Sequence, residues 1–311
     1  MKESFLPAAL AAIAGLAALF AYAALASPYL IAAGFTIVLF ITLSASWNLV
    51  SGYTGYVSFG HVVFFGIGAY TASLLAVKGG LGWPAATLGA ASAAAVLALV
   101  LGSITLRLKG AYFAIAMLGA SEAVRVAAST WESLTGGGSG ITLPNLLSPR
   151  GAFLLLGITA LGTIVLTYAV AQSRFGLHLL AIREDETGAE AMGVAATRAK
   201  TAAFVLSAVP AGIAGAANAW HINYIDPEST FPILLTIQMI VMTMLGGGGT
   251  VLGPVVGALL LGLAGEFLWA RFPFIHLGLY GLLIVGIVIF IPEGLLPRLM
   301  ARGILPRTRR L

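Results

Sequence analysis

Cysteine is absent from all 311 residues. That excludes a disulfide framework, a thiol nucleophile and any cysteine-ligated metal site. Charge is nearly as scarce: Asp, Glu, Lys and Arg make up 9% of the chain against 59% hydrophobic residues, and the mean hydropathy is +1.01. A soluble globular chain carries roughly 25% charged residues, so this one has too few to wet a surface. Apolar runs of about 20 residues, the span a bilayer core demands, recur along nearly the whole length. A soluble enzyme, a disordered chain and a collagen-like fibre are excluded. So is an outer-membrane barrel, whose strands alternate over short segments. The expected fold class is all-α, a polytopic transmembrane helical bundle spanning residues 1–311 as one membrane domain. No stretch outside the membrane is long enough to fold as a soluble domain.

Hydropathy places about ten membrane segments, at residues 7–26, 29–50, 52–77, 83–106, 110–130, 151–172, 200–220, 231–245, 253–270 and 275–291. The first follows Lys2 and ends in Ala24, Leu25 and Ala26, the outline of a signal peptide. Its apolar stretch exceeds the roughly 7–15 residues of such a core, so it reads as a retained helix. An even number of crossings leaves both termini on one side. That side holds Lys2, Arg107, Lys109, Arg174, Arg183, Arg198, Lys200, Arg298, Arg302, Arg307, Arg309 and Arg310, the other only Lys78, Arg150 and Arg271. Basic residues collect on the cytoplasmic side of a membrane, so both termini are expected to be cytoplasmic. The tail, residues 292–311, sets five arginines against Glu293, and attraction to an anionic leaflet explains it. The net charge of +5 therefore points to a lipid bilayer and not to nucleic acid.

Two glycine-rich stretches fall at membrane depth. One holds Asn48, Ser51, Gly52, Tyr53, Thr54, Gly55, Tyr56, Ser58, Gly60 and His61; the other holds Gly246, Gly247, Gly248 and Gly249, followed by Gly253, Pro254 and Gly257. Non-helical backbone in a bilayer is tolerated only when buried in protein or lining a wet cavity, and paired interrupted segments point to a transport site. The plainer reading is close helix packing through small residues. The two stretches also resemble each other as a loose internal repeat. Asn48, Gly52, Tyr53, Gly55, Ser58, His61 and Gly246, Gly247, Gly248 and Gly249 are the pathway candidates. The four glycines lack the Gly-Lys-Ser/Thr ending of a phosphate loop, so any ATP is bound by another chain.

Glu122 and Arg125 share a helix face inside the fifth segment and are expected to pair. Each charge at a helix centre costs about 2.5–3.5 kcal/mol on insertion scales, which makes function the default reading of such residues. A structural pair near the helix end is the alternative. The four histidines, His61, His178, His221 and His276, are scattered. They assemble neither a metal site nor a nucleophile, base and orienter, so neither a metal, a cofactor nor an enzyme is expected.

The longest polar stretch, residues 173–199, lies on the basic side and contains Arg183, Glu184, Asp185 and Glu186, then Ala189, Glu190, Ala191, Met192 and Gly193. A solvated loop is one reading. A short helix docking on a partner is the other, with its acids meeting basic residues and Met192 filling an apolar groove.

The run Ser46, Trp47, Asn48, Leu49, Val50, Ser51, Gly52, Tyr53, Thr54, Gly55 continues through Ser58, Phe59, Gly60, His61 and Phe64 to Tyr70. It closely resembles the LIV-type ABC transporter permeases, the membrane subunits of branched-chain amino acid importers, and specifically their M-type subunit. Tyr112 to Ala116, Ala181 to Glu186 with Ala189 to Gly193, and Leu245 to Gly249 with Gly253 and Pro254 fit the same pattern in order. The resemblance implies a second homologous permease, two cytoplasmic ATPase subunits and a periplasmic or lipid-anchored substrate-binding protein. It implies a bacterial cytoplasmic (inner) membrane location, and makes residues 173–199 the coupling loop. That loop departs from the general importer pattern Glu-Ala-Ala-x-x-x-Gly, because Glu190 and Ala191 are followed by Met192 and Gly193 directly. Permeases of the same shape carry urea or short amides. A stand-alone small-solute channel and an ion-coupled carrier using Glu122 and Glu266 are the readings from other classes.

Overall fold

The computed structural model describes residues 5–272, 274–290 and 294–302. Lys2, Glu293, Arg307, Arg309 and Arg310, with most of the basic tail, lie outside the described residues. Helix α1 (Phe5–Leu25) and α2 (Pro28–Trp47) open the chain, and α2 runs on through a π-helical turn, Asn48–Gly52. Ser27 caps α2 with its hydroxyl and Pro28 stands at the first helical position, the favoured start of a helix. Then follow α3 (Val62–Val77), α4 (Trp83–Thr105), α5 (Ala111–Thr130) and the short α6 (Glu132–Thr135). After β1 (Ile141–Thr142) come α7 (Pro149–Gln172), capped by Ser148 in the same way as α2, then α8 (Arg174–Glu184) and α9 (Glu186–Ala191). The long α10 (Ala196–Ile222) leads to β2 (Tyr224–Ile225), α11 (Pro227–Thr230), α12 (Ile233–Gly246), α13 (Gly253–Arg271), α14 (His276–Phe290) and α15 (Leu295–Ala301).

Among the described residues, seven helices are long and apolar enough to cross a membrane by length and composition. Three more apolar helices are shorter, at 12–25, Val62–Val77 and 278–287, so the expected count of about ten exceeds the number that reach full length. The third segment shows why. Its expected helix over residues 52–77 starts only at Val62, because residues 55–58 leave helical geometry.

The centre of the bundle is α10, packed against α3, α4 and α7, with α2 bridging α7, α12 and α13. Small residues permit this: Ala208, Ala211, Ala214, Ala216 and Ala217 of α10 are fully buried. A Cβ at Gly257 would come within 1.8 Å of the Met242 carbonyl oxygen. The second glycine stretch thus does pack α12 against α13, as small-xxx-small motifs do. One end of the bundle carries residues 53–61, α8, α9, the 247–252 turn and α15. The other carries α6, α11 and the antiparallel pair β1–β2, with Ile141 opposite Ile225.

Candidate functional site

The two glycine-interrupted stretches meet at the end of the bundle that carries α8 and α9. They differ in form. The first is a π-helical turn running into irregular backbone, the second a tight turn between α12 and α13. The loose internal repeat is therefore not a repeat of structure. What joins them is Asn48, fully buried on the π-helical turn. Its Nδ2 donates to the Thr250 carbonyl at 2.8 Å, and its Oδ1 accepts from the Gly249 amide at 2.8 Å. Both halves of one amide are thereby satisfied by a turn some 200 residues away in sequence. Gly249 adopts φ +81°, and a Cβ there would lie 2.5 Å from Arg183 Nη1. A Cβ on Gly52 would lie 2.7 Å from the Gly249 amide nitrogen. Glycine is required at both positions by close approach, and at Gly249 by backbone geometry as well.

The expected coupling loop is largely helical. Asp185 ends α8 and caps α9, its Oδ1 accepting from the Thr187 amide at 3.0 Å. Arg183 reaches from α8 to the π-helical turn, where its Nη1 donates to the Gly52 carbonyl at 2.7 Å. The carbonyls near an interrupted helix end lack their usual helical partners, so a guanidinium is a fitting donor there. Ala189 is buried, whereas Glu184, Glu190, Ala191, Met192 and Gly193 are exposed, Met192 to 87%.

A second contact was not foreseen from the sequence. Lys200, at the start of α10, is only 1% exposed, and its Nζ donates to Glu186 Oε1 at 2.6 Å and to Tyr56 Oη at 2.9 Å. The ammonium also sits 4.0 Å from the centre of the Tyr56 ring, and the Tyr56 hydroxyl donates to Glu186 Oε2. Burial by itself would raise the Glu186 carboxyl. The hydrogen bonds from Lys200 and Tyr56, with the charges of Lys200 and Lys109, bring it below the ordinary carboxylate range. A signal existed in the sequence: a lysine abutting an apolar run needs a partner.

Of the remaining pathway candidates, Tyr53, Ser58, His61, Gly246 and Gly247 are interior, Gly248 is half-buried and Gly55 is exposed. Tyr53 and Ser58 are buried; the Ser58 amide donates to Ser51 Oγ at 3.2 Å and its carbonyl accepts from Trp47 Nε1 at 2.9 Å. His61 is fully buried, with Nε2 2.9 Å from Ser46 Oγ and its ring edge-on to Phe64. Gly55 lies against the Arg183 side chain at φ +76°. Gly246 packs on the Gly253 carbonyl, while Gly247, at φ +123°, lies against Pro297 of α15. Glu122 and Arg125 do form the expected ion pair, with Arg125 Nε 2.9 Å from Glu122 Oε2. It lies on a partly exposed face of α5.

A multi-pass helical membrane protein whose interrupted segments are tied to a folded loop at one end has the build of a transporter membrane subunit. Residues 29–291 match the family described as branched-chain amino acid transport system / permease component. The chain belongs to that family. It is 32% identical over 293 residues to the high-affinity branched-chain amino acid transport system permease protein LivM of Salmonella typhimurium, covering 84% of this chain and 68% of the relative. Against the permease protein LivH of Escherichia coli the identity is 24%, covering 71% and 79%. A shorter match, 32% over 37% of each chain, is to the autoinducer 2 import system permease protein LsrC of Escherichia coli. No solved structure matches the chain.

Proposed function

We propose that this chain is the membrane-spanning permease subunit of an ATP-driven importer for branched-chain amino acids, and that α8 and α9 couple it to a cytoplasmic ATPase. The observation that carries the coupling role is the Arg183 bond to Gly52. It links α8 directly to the π-helical turn, which Asn48 in turn links to the 247–252 turn. Movement of α8 thus displaces both interrupted segments together. Asn48, Gly52, Tyr53, Gly55, Ser58, His61 and the four glycines from Gly246 form the part of the pathway that shifts.

Exposed Glu184, Glu190 and Met192 supply the face that a partner meets. Glu186 faces inward, bound to Lys200, so it anchors the segment instead of contacting the ATPase. The family description and the LivM and LivH relatives support a permease pair within an ABC transporter and the branched-chain substrate. Two cytoplasmic ATPases and a periplasmic or lipid-anchored binding protein complete the assembly. The chain sits in a bacterial inner membrane with both termini cytoplasmic, as its basic residues favour. The chemistry of ATP hydrolysis belongs to the partner, and the permease contributes a path.

Gentle-detergent purification of the tagged subunit, with co-purifying chains identified, tests the assembly. Two ATPases and a second permease, with ATP-dependent leucine uptake in liposomes, are expected. Conduction by the subunit alone without ATP would overturn the reading in favour of a channel.

A further inference from the structure

The faces that the bundle leaves uncovered are not alike. On α4 the exposed large side chains are Leu88, Val96, Leu99, Val100 and Ile104, and on α13 Leu259, Leu260, Leu263, Phe267 and Trp269, all suited to acyl chains or the membrane interface. The uncovered face of α5 carries Tyr112, Ile115, Gly119, Glu122, Ala123 and Val126. Glu122 stands near the middle of a candidate membrane span, Ala111–Thr130, and its side chain is 57% exposed, with that of Arg125 30% exposed. Little of the bundle covers this helix: 22% of its span is buried, and it packs mainly on α3, α4 and the α6–α11 end, with Phe113 reaching Phe204 of α10. A Cβ at Gly119 would meet no atom within 4 Å. Ionised side chains inside a bilayer face a bundle interior or a water-filled cavity, because lipid cannot solvate them.

We propose that the exposed face of α5 lines the water-filled pathway, and that the Glu122–Arg125 pair is the place where a zwitterionic amino acid is recognised on its way through. The pair is neutral overall and presents one fixed charge of each sign on adjacent turns. A free amino acid carries the complementary set: its ammonium meets the Glu122 carboxylate and its carboxylate meets the Arg125 guanidinium, which offers planar, paired donors. Because the pair satisfies itself when no substrate is present, it exchanges one set of charge-assisted bonds for another and leaves no charge unpaired. Ile115 and Val126 flank it on the same face. They offer apolar surface to an aliphatic side chain. An uncharged solute lacks both contacts, so the site favours zwitterions over amides of similar size.

The inference rests on the importer reading, and the test separates the two. The chain is naturally free of cysteine, so single substitutions I115C, G119C, A123C and V126C report directly on their surroundings. L88C, V96C and L99C on α4 are the controls. Each variant is assembled into the complete importer in liposomes and treated with a charged, membrane-impermeant methanethiosulfonate. The α5 thiols are expected to be modified and leucine uptake blocked, while the α4 thiols stay unmodified. Failure of the unsubstituted importer to take up leucine would sink the importer reading itself. Normal uptake with α5 thiols as inert as those of α4 would overturn this inference alone.

The ion pair is tested separately with E122Q and with the exchange E122R/R125E. E122Q keeps the helix shape and is expected to reduce leucine uptake about tenfold, the scale of one lost charge-assisted hydrogen bond. The exchange restores an ion pair with its polarity reversed and is expected to leave uptake low. Recovery to the parent rate would show a purely structural pair and overturn the recognition role.

Discussion

Arg183 of α8 donates from Nη1 to the carbonyl oxygen of Gly52 at 2.7 Å. One residue belongs to a helix outside the apolar spans, the other to a π-helical interruption at the end of α2, and 131 positions of sequence separate them. A single hydrogen bond therefore joins α8, which we propose couples to a partner ATPase, to the segment that breaks helical order inside the bundle. π-Helical turns occur frequently at functional sites, and here the turn serves as an attachment point.

Replacing Arg183 with Gln shortens the side chain and removes the charge. Uptake is expected to fall sharply while the complex still assembles and hydrolyses ATP, so the number of ATP molecules consumed per leucine rises. Loss of a hydrogen bond to a charged group costs about 1.5–3 kcal/mol. Parallel measurement of ATPase rate and uptake checks this; coupled loss of both in equal proportion would refute transmission through Arg183.

Asn48 is the joint between the interrupted segments. Asn48→Asp keeps the acceptor for the Gly249 amide but sets a carboxylate oxygen against the Thr250 carbonyl, where the amide had donated. A buried group left unsatisfied costs about 1–3 kcal/mol. The variant is expected to unfold at lower temperature in detergent, with the 247–252 turn exchanging amide hydrogens first.

Gly249→Ala combines a strained backbone, at φ +81°, with a methyl group 2.5 Å from Arg183 Nη1. Arg183 must give way, so Gly249→Ala is expected to reproduce the uncoupled behaviour of Arg183→Gln. The two substitutions together should then be no worse than the poorer one, because they act on one contact. Uptake measured over the double-mutant cycle checks this, and full additivity would refute it.

Lys200→Met leaves Glu186 without its main partner. Breaking a buried pair by removing one member costs about 3–5 kcal/mol, and the partial exposure of Glu186, 14% of its side chain, places the expected loss at the low end. The pH dependence follows from the depressed carboxyl of Glu186. A group whose folded value lies below its unfolded one stabilises the fold above the unfolded value, about 4.3 for glutamate. That stabilisation is lost as pH falls through the folded value. Proteolysis at α9 is expected to accelerate below about pH 4 in the parent protein. In Glu186→Gln this acid-dependent increase should be absent.

Much of the architecture was legible as hydropathy. The helices α2, α4, α5, α7, α10 and α13 begin and end within a few residues of their apolar runs. A bilayer requires both a minimum apolar length and internal hydrogen bonding of the backbone, and few sequences satisfy both by accident. The Glu122–Arg125 pair was equally legible, since spacing along a helix decides which side chains meet. The glycine clusters and the charged stretch from Arg183 to Gly193 could be marked as unusual, but their partners could not be named. Lys200 and Tyr56 were not singled out as site residues, although a lysine at the head of an apolar run was a clue.

Composition and periodicity thus settle that this chain is a helical membrane protein, and roughly where its helices lie, because those features answer to the solvent around each segment. Only the folded bundle joins Asn48 to Gly249 and Thr250, Arg183 to Gly52, and Lys200 to Glu186 and Tyr56. Of these, only Lys200 and Glu186 are near in sequence, 14 residues apart; the others bridge 131 to 202 positions. No local pattern encodes such contacts. They exist because buried amides, carbonyls and charges must each find a partner where water is absent, and the packing of whole helices decides which partner is within reach.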